Sequence, residues 1–329
     1  MKIFFYTLRE YDELPCAEQL TRETGIEFGY TDVYPDKENY TLARGADAVC
    51  MTPCDMSAPM LERFASIGVK YILCRSIGYD HVDLAKAKEL GMRVSNTSYP
   101  PSGVANYALL LMLMMQRKIL PTLKRAELQD YSLKGKIGDD IAYQTVGVIG
   151  TGRIGRTLIR SLSGMGCRIV CYDPYKNEEV KTMAEYVSLD ELFRVADVIS
   201  LHTNATEENH HLLNAEAFAK MRDGVLIVNT ARGKLIDTEA LIHALESGKV
   251  GGAALDVLEH EDGLYYYNRV GDVIDNQEMA LLRSFPNVIL SPHTAFYTRQ
   301  AVNHMVQSCY EAAEAFAEGK STVHEVTLP

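Results

Sequence analysis

Tryptophan is absent from this 329-residue chain, and cysteine is sparse: its seven residues fall singly, with no CxxC pair. A zinc ribbon or a dithiol redox centre is thereby excluded. Cys50 and Cys54 come nearest to a ligand pair, but no second pair faces them. Scattered thiols fit reduced core residues of a cytoplasmic protein. Basic charge is short as well: 33 Lys and Arg against 44 Asp and Glu leave a net charge of −11. That balance argues against a nucleic-acid partner, and no basic run marks a membrane-facing surface. The opening residues, Met1-Lys-Ile-Phe-Phe-Tyr-Thr-Leu-Arg-Glu10, carry too short an apolar stretch for a signal peptide and no cleavage site. Residues 104–115 are strongly apolar. They fall short of the roughly 20 residues a bilayer span needs, so they read as a helix buried on most sides. No HxxxH pair or carboxylate cluster points to a metal, and none is expected; His210 and His211 sit in a polar loop and read as solvated. There is no repeat or low-complexity tract.

Against these absences stands one dense signal, Thr145-Val-Gly-Val-Ile-Gly-Thr-Gly-Arg-Ile-Gly155. It reads as a strand, then Gly150-x-Gly152-x-x-Gly155, then a helix, which is the dinucleotide-binding fingerprint in its proper context. Gly150 permits the tight turn, Gly152 lets backbone approach a pyrophosphate, and Gly155 lets helix and strand pack closely. The helix N-terminus offers free N–H groups and a partial positive charge to the phosphates. Arg153 and Ile154 lie in its first turn. A second strand, Cys167-Arg-Ile-Val-Cys-Tyr172, ends at Asp173, eighteen residues past Gly155. An acidic residue there hydrogen-bonds the adenosine ribose and repels a 2′-phosphate, which favours NAD over NADP although Lys176 is near.

The fingerprint starts at residue 145, so a separate unit precedes it. Lys2–Thr7, Gly45–Met51, Lys70–Cys74 and Met92–Ser95 read as strands, with helices over Glu10–Thr24, Ser57–Ile67 and Val82–Leu90. This alternation predicts a parallel sheet with helices on both faces. Pro100-Pro101 interrupts the chain, and Ser102 is expected to N-cap the apolar helix that follows. Further strands are expected at 145–150, 167–172, 197–201, 224–229, 250–255 and 287–290. A final amphipathic helix carries Ala301, Met305, Val306, Cys309, Ala313 and Phe316 on one face. It is expected to pack back on the first domain. The fold class expected is α/β, with two Rossmann-like, doubly wound parallel-sheet domains. The discontinuous domain is flavodoxin-like and spans 1–101 plus 297–329; the cofactor domain, 102–296, is inserted in it. Ligands of such sheets bind in the cleft.

Three charged residues each follow a strand: Arg232 in Val228-Asn-Thr-Ala-Arg-Gly-Lys234, Glu261 in Asp256-Val-Leu-Glu-His-Glu261, and His293 in Leu290-Ser-Pro-His293. Reduction of a 2-oxo acid needs this set. A histidine donates the proton, a carboxylate beside it fixes the ring and favours its charged form, and an arginine forks onto the substrate carboxylate. On these grounds alone Glu259 and Asp262 compete with Glu261.

At these residues the chain resembles the D-isomer-specific 2-hydroxyacid dehydrogenases over essentially its whole length, nearest their D-lactate branch. In that family the Arg, Glu and His are spaced 29 and 32 residues apart, as Arg232, Glu261 and His293 are. The resemblance therefore implies Arg232 as substrate anchor, His293 as acid/base and Glu261 as its partner. Arg75-Ser-Ile-Gly-Tyr-Asp-His-Val-Asp83 is similar to the family's substrate loop, which implies that backbone around Ser76, Ile77 and Gly78 grips the substrate carboxylate. Tyr99 matches a pocket tyrosine, with Pro100 where the family usually has Ser. Phe296 and Tyr297 are candidate walls of the pocket. Val104, Arg153, Ile154, Asp173, Thr203, Asn204, Thr230, Ala231 and Asp256 fall on the family's cofactor contacts, with His202-Thr-Asn replacing a common His-Val-Pro. The implied activity is reversible, NAD-dependent reduction of pyruvate to D-lactate. Bulkier 2-oxo acids such as 2-oxoisocaproate or phenylpyruvate are the alternative substrates. An NAD-sensing co-repressor is the alternative from another class. The family usually dimerises through its cofactor domains, so a homodimer is expected.

Overall fold

Short apolar runs of the first hundred residues become strands because their alternate residues have a core to enter on each face. The computed structural model describes residues 1–261 and 263–327. Two compact units result, one of Met1–Pro100 with Tyr297–Pro329, the other of Pro101–Phe296.

The first unit begins β1 (Lys2–Phe5), α1 (Leu14–Thr24), β2 (Glu27–Tyr30), β3 (Ala48–Met51), α2 (Ala58–Ser66), β4 (Tyr71–Cys74), α3 (Leu84–Glu89) and β5 (Arg93–Ser95). The second contains α4 (Ser102–Gln116), α5 (Ile119–Glu127), β6 (Thr145–Ile149), α6 (Arg153–Ser163), β7 (Arg168–Tyr172), β8 (Glu185–Tyr186) and α7 (Leu189–Val195). It continues with β9 (Val198–Leu201), α8 (Ala215–Lys220), β10 (Val225–Asn229), α9 (Thr238–Glu246), β11 (Val250–Leu255), α10 (Gln277–Ser284) and β12 (Val288–Leu290). The chain then returns to the first unit as α11 (Arg299–Ala317) and β13 (Glu325–Val326). No helix among the described residues is long and apolar enough to cross a membrane.

The first sheet runs β13-β5-β4-β3-β1-β2, parallel except for β13. Its five parallel strands have the flavodoxin-like order 2-1-3-4-5. Phe4, Val49, Ile72 and Cys74 enter a core shared with α2 and α3. Ile3, Phe5, Cys50 and Leu73 enter the other, where α11 supplies Val306, Cys309, Tyr310, Ala313 and Phe316. The expected terminal helix therefore packs where its apolar face required.

Three strands escape the sequence pattern: β2, β13 and the two-residue β8. β2 (Glu-Phe-Gly-Tyr) carries no buried residue; it is an edge strand held by pairing with β1 and by Phe28 set edge-on to Phe5 at 6.0 Å. β13 has two residues, anchored where the Arg93 guanidinium donates to both oxygens of Glu325 at 2.8 Å. The first helix also starts later than expected, at Leu14, with Pro15 in its first turn.

Arg75 stands immediately before Ser76-Ile77-Gly78 and is wholly buried, as is its partner Glu13, with Nε to Oε1 at 3.1 Å. Its Nη2 also donates to the carbonyls of Thr7 at 2.8 Å and Tyr6 at 3.1 Å. A buried charge persists only when paired and hydrogen-bonded in this way. The root of the expected substrate loop is thus tied to the segment that follows β1 and to the start of α1.

The second sheet, β12-β11-β10-β9-β6-β7-β8, is wholly parallel. Its order reverses at β6, which lies between β9 and β7, so the switch point falls where the fingerprint begins. Ile149, Val170 and Ile199 face one core and Val146, Val148 and Ile169 the other. α4 buries Val104, Ala105, Ala108, Leu111, Met112 and Met115. Ser102 does not cap it, contrary to expectation: Pro101 occupies the N-cap and Ser102 is the first helical residue, with no side-chain capping bond. The ring of Pro101, at φ −68°, already has helical geometry, so the helix starts one residue earlier than a serine cap would allow.

Candidate active site

The three fingerprint glycines are needed for different reasons. Gly150 has φ +94°, and a Cβ there would come within 2.5 Å of the His202 carbonyl oxygen. At Gly155 a Cβ would meet the Gly150 carbonyl oxygen at 1.9 Å. Nothing lies within 4 Å of a Cβ at Gly152. The first two are demanded by packing between β6, α6 and the loop after β9; the third leaves a clear space. Gly152 is also the N-cap of α6 and makes no side-chain capping bond, so no N-cap side chain covers the helix start at Arg153 and Ile154. Thr230, after β10, is buried, and its Oγ1 has no hydrogen-bond partner among the described residues. An uncapped helix start, a clear approach and an orphaned buried hydroxyl fit a dinucleotide.

Asp173 lies where β7 ends. Its Oδ2 accepts from the Thr151 amide at 2.6 Å and the Thr151 hydroxyl at 3.2 Å, and Oδ1 from the Tyr175 amide at 2.8 Å. It holds the glycine loop as well as presenting negative charge beside it. Thr203 and Asn204 follow β9, across the switch point, and Ala231 donates its amide to Asn229 Oδ1 at 2.9 Å. Val104 is buried on α4.

His202 is held neutral: burial, with no charged neighbour to offset it, pushes its imidazole down to about 4 from 6.5, and its Nε2 lies 2.8 Å from Ser200 Oγ. The folded value lies below the unfolded one. The stability linked to it is therefore full above about pH 6.5 and is lost as pH falls from there towards 4. Denaturant titrations at pH 7 and pH 5 should show wild type losing more stability than His202→Asn; equal losses in the two proteins would remove His202 from the account.

Arg232, Glu261 and His293 follow β10, β11 and β12, three adjacent strands whose ends share one sheet edge. Their loops are packed, not loose. Arg232 leaves β10 through Gly233, where a Cβ would strike the Leu258 carbonyl carbon and oxygen at 2.1 Å. The Arg232 carbonyl accepts from Asn229 Nδ2 at 2.8 Å. His293 Nδ1 lies 2.6 Å from Glu261 Oε1, with the two side chains 26% and 22% exposed. Glu261 Oε2 accepts the Leu258 amide at 2.8 Å. The competition among carboxylates is settled geometrically, since Glu259 turns to His211, 2.8 Å away; Asp262 lies outside the described residues.

Asp256 proves to be the organiser of the histidine loop. It is wholly buried, and its carboxylate accepts from Ser291 Oγ at 2.6 Å, the Thr294 amide at 2.9 Å and the Ala295 amide at 2.9 Å. Its carbonyl accepts the His293 amide at 2.8 Å. These bonds sustain φ +52° at His293, a left-handed conformation that histidine seldom adopts. Tyr266 adds its hydroxyl to the His293 carbonyl at 3.3 Å, and its ring stands 5.7 Å from the imidazole and 6.5 Å from Phe296. Sequence reading did not find Tyr266; only its place in the tyrosine run 265–267 hinted at it.

These features match known proteins. Residues 109–295 match the family model described as the D-isomer specific 2-hydroxyacid dehydrogenase, NAD binding domain. An aromatic 2-oxoacid reductase of Clostridium sporogenes is 41% identical over 93% of this chain and 93% of its own length. The chain belongs to the D-isomer-specific 2-hydroxyacid dehydrogenases. It is therefore an NAD-dependent oxidoreductase acting on D-2-hydroxyacids. The D-lactate dehydrogenase of Escherichia coli is 37% identical over 99% of this dehydrogenase and all of its own length. The solved structure of D-2-hydroxyisocaproate dehydrogenase superposes with a TM-score of 0.89 at 34% identity, covering 100% of both chains.

In the first unit, the expected substrate loop is closed on itself. Ser76 Oγ donates to the Gly78 carbonyl at 2.6 Å, and Asn96 Nδ2 donates to the Ile77 carbonyl at 2.8 Å. Tyr99 lies in the irregular segment after β5. The Tyr297 hydroxyl donates to Asp12 Oδ2 at 2.5 Å, and the Arg9 guanidinium lies 5.5 Å from its ring centroid. One expectation is corrected: His211 is not merely solvated, because it reaches Glu259 as described, and His210 stacks on it at 3.9 Å.

Proposed function

We propose that this dehydrogenase reduces pyruvate to D-lactate, with His293 as proton donor, Glu261 as its partner and Arg232 as the carboxylate anchor. The observation that carries the assignment is the 2.6 Å contact of His293 Nδ1 with Glu261. In this reading Nδ1–H donates to Glu261 Oε1 and Nε2 serves the substrate. Bound NADH supplies the hydride that adds to C2. Arg232 holds the substrate carboxylate as a two-point fork. The His293 imidazolium passes its Nε2 proton to the carbonyl oxygen, and Glu261 stabilises that imidazolium before transfer. In lactate oxidation the same nitrogen takes the proton back. Asp256 and Tyr266 position the ring.

Similarity to D-lactate dehydrogenases supports pyruvate, and the Phe296 ring, 6.3 Å from that of His293, supports a crowded wall that suits a methyl group. The aromatic 2-oxoacid reductase, at 41% identity, favours a second reading in which the side chain is aromatic. The deciding experiment follows NADH oxidation with pyruvate, 2-oxobutyrate, 2-oxoisocaproate, phenylpyruvate and hydroxypyruvate, with chiral analysis of the products. A maximum of kcat/KM at pyruvate giving the D isomer is expected. A maximum at phenylpyruvate would replace the substrate and keep the mechanism. The cofactor reading assigns the domain 102–296, a homodimer through it, and a cytoplasmic place of action.

Asp173 carries the choice of cofactor in this reading. Asp173→Ala should bring the kcat/KM values for NADH and NADPH closer together, because the repulsion of a 2′-phosphate goes with the carboxylate. An unchanged ratio would show that another group reads the ribose.

A further inference from the structure

Glu259 and the histidine pair take no part in the proposed hydride transfer, yet they converge. Glu259 Oε1 lies 2.8 Å from His211 Nε2 and 3.9 Å from His210 Nε2. The candidate ligand atoms of all three lie within 4.8 Å of one another. A hydrogen bond accounts for His211 alone, since 3.9 Å is too long for one. The two imidazoles nevertheless stack at 3.9 Å and 26°, with both Nε2 atoms near one carboxylate oxygen. Two charged rings would repel in that arrangement. Ligand atoms at about 2.0–2.1 Å from one tetrahedral ion stand about 3.3 Å apart, between the two distances seen.

We propose that His210, His211 and Glu259 form a binding site for one first-row divalent cation of the zinc class, which ties the loop after β9 to the segment after β11.

The groups around the three support this. Thr238 Oγ1 donates to Glu259 Oε2 at 3.2 Å, orienting the carboxylate and leaving Oε1 for the ion. His211 Nδ1 is 3.8 Å from Asp237 Oδ2, too far for a hydrogen bond but close enough for that carboxylate to add negative charge beside a bound cation. The His211 amide donates to the Lys234 carbonyl at 2.9 Å, so the backbone is also anchored. Glu259 is 11% exposed and His210 49%; the carboxylate is sheltered and the histidine side open to entry. Two imidazoles and one carboxylate suit zinc, nickel or copper, whereas magnesium and calcium prefer all-oxygen sets. Binding places the neutral His211 proton on Nδ1, towards Asp237, and expels a proton from any imidazole that is charged, so affinity falls at low pH. Three protein ligands leave a fourth position for water.

The test uses the whole protein, freed of metal with a chelator and titrated with zinc against a chromophoric competitor. Wild type is expected to bind one zinc per chain, with affinity at least tenfold lower in His210→Ala and in Glu259→Gln. His210 is exposed, so its loss should leave the thermal midpoint unchanged without metal, and that midpoint is measured in parallel. Cobalt(II) added in place of zinc should give a visible spectrum with no thiolate charge-transfer band. No saturable zinc binding, binding unaltered in His210→Ala, or a thiolate band that assigns the metal to cysteine would each overturn the proposal. None of these outcomes touches the dehydrogenase reading.

Discussion

His293→Ala should lower turnover with pyruvate by about 10²–10⁴-fold, the usual contribution of a positioned proton donor, while NADH still binds as in wild type. The size follows from the chemistry. Hydride addition to a ketone leaves an alkoxide unless a proton arrives with it, and among the described residues no other imidazole shares the Glu261 contact. The separation of effects follows from the fold. The fingerprint lies between β6 and α6, while His293 follows β12, at the opposite edge of the sheet from β8. Fluorescence titration with NADH and single-turnover reduction of pyruvate read the two quantities independently. Turnover close to that of wild type would end the assigned role. Lost NADH binding would mean that the loop held by Asp256 had collapsed, and His293→Gln, which retains a polar side chain there, would then be the fairer comparison.

Arg232→Lys should raise the KM for pyruvate and lower kcat/KM by about 10–100-fold. That is the range expected when a hydrogen bond to a charged group, about 1.5–3 kcal/mol, is removed. Lysine keeps the charge but replaces a planar fork by a point donor on a flexible stem. Part of the loss should appear in kcat, because a substrate held at one oxygen is less well aligned with His293. A series of 2-oxo acids tests the anchor further: the penalty should be shared by all of them, since all carry the same carboxylate. An unchanged KM, or a penalty confined to one side chain, would refute the assignment.

Much of this site is legible in the sequence because its parts are local. A strand, three glycines and a helix start occupy eleven consecutive residues, and their function depends on backbone geometry that those residues themselves impose. The ends of β10, β11 and β12 are equally visible, since a parallel strand buried on both faces reads as an apolar run and its exit residue is the next polar one. β2, β8 and β13 were not visible, because an edge strand takes its stability from the neighbour it pairs with. Ser102 misled for a related reason: a capping side chain and a proline each start a helix, and here the proline came first.

The order of residues by itself determined the alternation of strands and helices in two α/β units, the glycine fingerprint between a strand and a helix, and the three charged strand ends. Each of these follows from periodicity or spacing along one stretch of chain, and together they carry the resemblance to the family. Tertiary structure put Glu261 rather than Glu259 against the imidazole, a choice that the family spacing implies but that position after a strand leaves open. It also turned Asp256 inward to clamp the histidine loop, and brought His210 and His211 to Glu259 across 48 positions of sequence. The physical reason is shared by all three. A side chain's partner is set by where separate loops meet at the end of a sheet, and that depends on strand order and on close contacts such as Gly233 against Leu258, which no local pattern records.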